Sequence, residues 1–213
     1  MLYIFDWDGT LSDSTGTIVT AMQRAADELR WRVPETEAVR NIIGLGLPEA
    51  LRELYPEVAE SDWAQIRDGY RKHYLALDQE SPAELYPRVL DSLDSLRREG
   101  HTLTIATGKS RAGLDRVLAR LELDGFFHAS RCADETASKP DPLMLQELLD
   151  HFALPARDAV MVGDTEYDME MGRRASMPRL AVSYGAHHID RLRPYEPELC
   201  MDCFSEILRW RPL

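Results

Sequence analysis

Cysteine is scarce in this chain, three residues in 213, at positions 132, 200 and 203. So small and odd a number offers no disulfide framework, and a reducing cytoplasm is the expected compartment. Positive charge is short as well: 25 Lys and Arg stand against 37 Asp and Glu, for a net charge of −12. No basic stripe offsets that field, which argues against a nucleic-acid partner. No apolar run is long enough to span a bilayer, and no basic region precedes an apolar one near Met1, so neither a membrane anchor nor a secretory leader is expected. Internal repeats and low-complexity tracts are absent too. An anionic substrate would have to be attracted by local cations or a metal, against the global charge.

What is present suits one large domain, or one domain with a modest insertion, since 44% of the residues are hydrophobic. Cys200-Met201-Asp202-Cys203 has the spacing of a zinc or redox pair, with His187-His188 nearby in sequence. The structural alternative is stronger. Leu199 to Met201 predicts a short last strand, Ser205 the N-cap of a helix holding Ile207 and Leu208, and no second Cys pair exists.

Two grammars divide the chain. After an apolar strand at Leu2–Phe5, Ile18, Met22, Ala25, Ala26 and Leu29 recur at helical spacing. Val39–Ile43 and Leu47–Leu54 follow, then a helix through Trp63, Ile66, Tyr70, Tyr74 and Leu77, with Ser61 as its expected N-cap. No strand pattern interrupts the stretch, so residues 14–81 are expected to be an all-helical insertion. From Tyr86 onward, helices alternate with strands at Leu103–Ala106, weakly at Phe127–Ser130, and at Ala159–Val162 and Arg179–Val182. That alternation predicts an α/β fold, a Rossmann-like parallel sheet formed by residues 1–13 and 82–213.

The chemistry-bearing residues follow the strands. Asp6 and Asp8 come after the first, Thr107-Gly108-Lys109 closes the second, Asp164 and Asp168 follow the fourth, and Lys139 lies in the connection after the third. An Asp-x-Asp-Gly string alone is ordinarily a solvated turn, Thr107 a turn residue and Lys139 a surface lysine. A parallel sheet, however, aligns its strand tips on one edge, where ligands bind. Four carboxylates gathered there repel unless a cation joins them. Oxygen-only ligation suits Mg²⁺, and Lys139, the Thr107 hydroxyl and backbone N–H groups would face an anion with several oxygens. The pattern points to metal-assisted phosphoryl transfer.

In this order and spacing, Asp6-Trp7-Asp8-Gly9-Thr10, Thr107-Gly108-Lys109, Ser138-Lys139-Pro140 and Gly163-Asp164-Thr165-Glu166-Tyr167-Asp168 resemble the haloacid dehalogenase superfamily of phosphatases, over essentially the whole chain. The helical insertion resembles that superfamily's α-helical cap. The pattern is most similar to phosphoglycolate phosphatases, with Asn41-Ile42-Ile43-Gly44-Leu45-Gly46-Leu47 like their substrate loop. The resemblance implies Asp6 as nucleophile and Asp8 as general acid and then base. It implies Mg²⁺ on Asp6, the Asp8 backbone carbonyl and Asp164, with Asp168 in or beside that shell. Thr107 and Lys139 would bind phosphoryl oxygens; Gly108, Gly44 and Gly46 would border the substrate.

The expected substrate is a small phosphorylated metabolite such as 2-phosphoglycolate, and the expected state a monomer or homodimer. A pyrophosphatase, nucleotidase or sugar-phosphate mutase could use the same core, and a non-catalytic phosphoryl-binding protein is the alternative outside enzymes. Three departures stand out: Gly108 where many relatives have Asn, Ala175-Ser176 in place of Ala-Gly, expected to be a packing change, and Ser183-Tyr184-Gly185 in place of Thr-Trp-Gly.

Overall fold

The computed structural model describes residues 1–211. Strand β1 (Leu2–Phe5) is followed by four helices, α1 (Thr15–Glu28), α2 (Thr36–Ile42), α3 (Leu47–Leu54) and α4 (Trp63–Glu80). Strands and helices then alternate: α5 (Val89–Arg98), β2 (Thr102–Thr107), α6 (Arg111–Arg120), β3 (Ala129–Cys132), α7 (Leu143–Phe152), β4 (Ala159–Gly163), α8 (Glu166–Arg174), β5 (Arg179–Val182), α9 (Ile189–Leu192) and β6 (Leu199–Met201). The sheet is parallel throughout, in the order β3-β2-β1-β4-β5-β6.

Strand alternation explains why both faces are covered. Tyr3 and Phe5 on β1 join Leu103, Ile105, Val160 and Val162 in one cluster that packs on α5 and α6. Leu2 and Ile4 point the other way, onto Met144, Leu145 and Leu148 of α7 and Met171 of α8. Strands buried on both faces read as continuous apolar runs, as Leu2–Phe5 and Val160–Val162 do. The chain order reverses between β1 and β4. That switch point opens a crevice at the carboxyl ends of the strands, where ligands of open α/β sheets bind.

Helices α1–α4 gather an apolar cluster of Ile18, Met22, Val39, Leu51, Ile66, Tyr74 and others, which Ala186 joins from the segment after β5. The two chain passages linking them to the sheet lie side by side: Ser12 bridges Leu85, Asp13 N–H donates to Glu84 O at 2.9 Å, and Tyr86 N–H to Leu11 O at 2.9 Å.

Three local expectations need correction. β3 runs Ala129–Cys132, two residues later than the apolar signal at Phe127, because Phe127 packs edge-on against the buried Trp7 instead of entering the ladder. α4 begins after a 3₁₀ turn at Glu60–Asp62, so Ser61 lies inside that turn and caps nothing. The C-terminal segment Phe204–Arg209 is 3₁₀, with Ser205 within it and Cys203 at the cap position. Cys200 and Cys203 are free thiols, and His187 spends both ring nitrogens on Glu166 N and Asn41 O, so no zinc site forms from them.

Candidate active site

The crevice gathers residues far apart in sequence. Asp6 continues β1, its N–H donating to Val162 O at 2.9 Å, which sets it beside the end of β4. Asp164 follows β4, and Asp168 sits in the first turn of α8, whose N-cap is Thr165. Asp168 Oδ2 accepts from Thr165 N–H at 3.1 Å and from Thr165 Oγ1 at 2.7 Å, a reciprocal capping box that fixes it. Asp164 is held by Thr10 Oγ1, which donates to Oδ1 at 2.8 Å, and by Ala186 N–H, which donates to Oδ2 at 2.6 Å. Any side chain on Gly9 or Gly185 would overlap the Asp164 carboxyl, so these two positions are left bare by steric need.

Lys139 Nζ lies 2.7 Å from Asp6 Oδ1 and 2.6 Å from Asp168 Oδ1, all three side chains fully buried. One ammonium thus contacts two carboxylates, and the third, Asp164, has no cation in contact with it. The imbalance is visible in their acidity. Burial, with Asp168 and Asp164 nearby, holds the Asp6 carboxyl well above its ordinary pKa despite Lys139. Burial, then the Asp168 charge, raises Asp164 to about 7.

The residues fit a divalent cation. Carboxylate oxygens of Asp6, Asp164 and Asp168 lie within 4.8 Å of one another; Asp6 Oδ1 meets only the Lys139 ammonium, and Asp6 Oδ2 has no partner. A buried carboxylate left so is costly unless something else satisfies it. The donor set is all oxygen and hard, which suits Mg²⁺.

Asp8 stands outside this trio. Its oxygens both receive Lys109 Nζ at 2.9 Å, and Oδ1 also receives Ser14 Oγ at 2.6 Å. Thr107 ends β2 with its hydroxyl oxygen accepting from Lys109 N–H at 3.1 Å, leaving the hydroxyl proton free to donate. The loop between α2 and α3 packs on the turns that follow β2 and β4 and on the β3–α7 connection. Gly44 abuts Thr165, Gly46 N–H donates to Ser138 Oγ at 2.8 Å, and Gly108 faces the carbonyls of Gly44 and Leu45.

A family model described as haloacid dehalogenase-like hydrolase matches residues 3–182, most of the chain, including Asp6, Asp8, Thr107, Lys139, Asp164 and Asp168. The chain belongs to the haloacid dehalogenase-like hydrolases. The "Probable phosphatase IndB" of Dickeya dadantii is 32% identical over 210 residues, covering 97% of this chain and 91% of that protein. A phosphoglycolate phosphatase of Aliivibrio fischeri is 29% identical over 218 residues, covering 97% and 94%. A solved haloacid dehalogenase-like family hydrolase from Streptococcus pneumoniae superposes with a TM-score of 0.81 at 25% identity, covering 98% of this chain and 96% of its own.

In this hydrolase, then, Asp6, Asp164, Asp168 and Lys139 meet in one buried cluster, and Gly108, just past β2, meets the loop that carries Gly44 and Gly46. Sequence reading missed Thr10, Ser14, Lys109 and Ala186. Thr10 and Lys109 sit inside the strings that carried the resemblance, which was a usable signal. It also missed Arg40, which donates to Gly185 O at 2.9 Å from α2; nothing local in the sequence marks it.

Proposed function

We propose that this protein is a Mg²⁺-dependent phosphomonoesterase that works through a phosphoaspartyl intermediate on Asp6, acting on a small phosphorylated metabolite such as 2-phosphoglycolate. The observation that carries the reading is the division of the acids. Asp6 is buried beside Asp164 and Asp168, held only by Lys139 at Oδ1 and with Oδ2 free of partners, whereas Asp8, two residues on, is held apart by a second lysine. One carboxylate is thus set up to attack and the other to move protons. The relatives named as phosphatases support the same reaction class.

Mg²⁺ bound by Asp6, Asp164, Asp168 and the Asp8 carbonyl would supply charge neutralisation for the phosphoryl oxygens and for the crowded carboxylates. An oxygen of Asp6 attacks phosphorus, the bond from phosphorus to the ester oxygen breaks, and Asp8 gives that oxygen its proton. Asp8, now ionised, takes a proton from water as the water attacks the phosphoaspartate; phosphate leaves and Asp6 is restored. Thr107 and Lys139 hold phosphoryl oxygens throughout, so their geometry, set by the rigid ends of β2 and the β3–α7 connection, determines alignment. Residues 14–81 act as a cap on the core of 1–13 and 82–213, with Gly44 and Gly46 on the substrate side, and hinge near Asp13 to Thr15 and Ser81 to Glu84, next to the paired passages.

The test uses p-nitrophenyl phosphate and an alkyl phosphate with Mg²⁺. Asp6→Asn should lose all turnover. Asp8→Asn should lose about 10²–10⁴-fold on the alkyl ester, as expected for proton transfer. With p-nitrophenyl phosphate it should give a stoichiometric burst, because nitrophenolate leaves without a proton while hydrolysis of the intermediate still needs a base. An active Asp6→Asn enzyme would refute the assignment. A screen of phosphoglycolate, pyrophosphate, nucleotides and sugar phosphates ranked by kcat/KM then identifies the substrate.

A further inference from the structure

Lys109 has no part in the mechanism above, yet it is the most completely committed cation near the site after Lys139. Its Nζ is 2.9 Å from each oxygen of Asp8, and only 10% of the Lys109 side chain and 12% of the Asp8 side chain is exposed. The ammonium also lies 5.0 Å from the centroid of the Tyr74 ring, with the Tyr74 hydroxyl at 3.5 Å. Tyr74 belongs to α4, is buried, and packs against Tyr70 one turn earlier at 5.9 Å between centroids. The Arg116 guanidinium on α6 lies 5.8 Å from the same ring. The backbone of Lys109 is fixed too, between the Thr107 hydroxyl and Ser110, the N-cap of α6.

We infer that Lys109 is a positioning residue for Asp8, with Tyr74 as the platform that holds its ammonium in place. The inference rests on the proposed role of Asp8 as acid and base. A carboxylate turns about two side-chain torsions, and the Ser14 hydroxyl alone fixes one oxygen; a cation bridging both oxygens fixes the plane. Proton transfer is sensitive to that plane because the catalytic oxygen must reach the ester oxygen at hydrogen-bond distance. Tyr74 contributes through its ring face, which attracts a desolvated ammonium. Lys109 itself moves no proton. Burial opposes its charge, but Asp8 and the two tyrosines outweigh that and raise its pKa above the ordinary lysine value. Lys139 cannot substitute, being engaged by Asp6 and Asp168.

The readout is leaving-group dependence, which a merely structural role would not move. Lys109→Met should lower kcat on an alkyl phosphate by about 10²-fold, within the range for loss of general acid–base catalysis, with KM little changed. The p-nitrophenol burst rate should fall by less than about tenfold, because that step needs little protonation. Lys109→Arg should recover much of the alkyl-phosphate rate, since a guanidinium can also bridge both oxygens. Tyr74→Leu should show the same selective loss, smaller in size, and carries the test if Lys109→Met fails to fold by circular dichroism. Equal losses on both esters, or a raised KM at unchanged kcat, overturn the inference; the second result would place Lys109 on the substrate instead. A wild-type enzyme that hydrolyses neither ester refutes the phosphatase reading beneath it, an outcome separate from either.

Discussion

Gly108 and Gly44 meet backbone to backbone. A Cβ built on Gly108, just past β2, would stand 2.5 Å from the Gly44 carbonyl oxygen and equally close to that of Leu45. The loop between α2 and α3 therefore sits where any other residue at position 108 would project. This gives a physical account of glycine at this position: the bare backbone is what lets the loop carbonyls approach so closely.

Gly108→Ala should accordingly lift the loop. Forcing a methyl against two carbonyls costs about 1–3 kcal/mol if nothing moves. Displacement of the loop by even an ångström can cost on the order of 10²-fold in rate. We expect kcat/KM to fall strongly and the melting temperature only slightly. Unchanged kcat/KM would mean that the loop plays no part in holding substrate.

Chelation gives a second test. With three buried carboxylates and one lysine, EDTA should abolish activity and Mg²⁺ restore it, while Ca²⁺, which prefers more ligands and looser geometry, should inhibit. Because a cation binding only the folded chain stabilises it by mass action, Mg²⁺ at 100 times its Kd should add about 2.7 kcal/mol, measurable as a raised melting temperature without any substrate. Full activity and an unshifted melt in metal-free buffer would rule the site out.

Acid should loosen the contact between α2 and the sheet edge. His187 is buried; its Nδ1 accepts from Glu166 N–H at 3.2 Å, which leaves Nε2–H to donate to Asn41 O at 3.3 Å, beside the Tyr167 hydroxyl on the same carbonyl. Burial, then the Arg191 charge, lowers its pKa from 6.5, although Asn41 O, Glu166 and Asp168 oppose this. Below about 6.5 the unfolded chain takes up a proton that the folded chain refuses. The stabilisation is therefore complete above that pH and is lost as pH falls through the lower folded value. The melting-temperature gap between wild type and His187→Gln should shrink between pH 7.5 and 5.5; a constant gap would contradict this.

Ser176 corrects an expectation drawn from sequence. The exchange of Gly for Ser after α8 looked like a packing change, but Ser176 is exposed and adopts a left-handed backbone, φ 53°. Its neighbour Met177 N–H reaches back to Gly172 O at 2.9 Å, closing the helix in the manner that favours glycine here. A left-handed L-residue costs about 1–2 kcal/mol. Ser176→Gly relieves that, less about 0.5–1 kcal/mol of added unfolded-state entropy. The variant should melt slightly higher with unchanged kcat; a lower melting temperature would show that the Ser side chain contributes more than its backbone costs.

Local pattern was sufficient for most of the architecture. Apolar runs such as Leu2–Phe5 and Ala159–Val162, and helical spacing from Ile18 to Leu29, depend only on side-chain burial along one element, which sequence records directly. The acids and Lys139 were legible because parallel strands deliver their ends to one edge wherever the strands occur. Partnership was not legible. Thr10 reaches Asp164 across 154 positions and Lys109 reaches Asp8 across 101, and neither spacing has a period. Strand order set the first pairing by putting β4 beside β1, and the second by putting β2 on the other side of β1, with Tyr74 of α4 against the Lys109 ammonium. Phe127 failed as a strand residue for the same reason: its burial against Trp7 came from a neighbour that the sequence does not place beside it. The amino-acid string by itself determined which groups the protein owns and which edge they occupy. Only tertiary packing decided which carboxylate each lysine holds, because that choice is made by distances between elements and not by order along the chain.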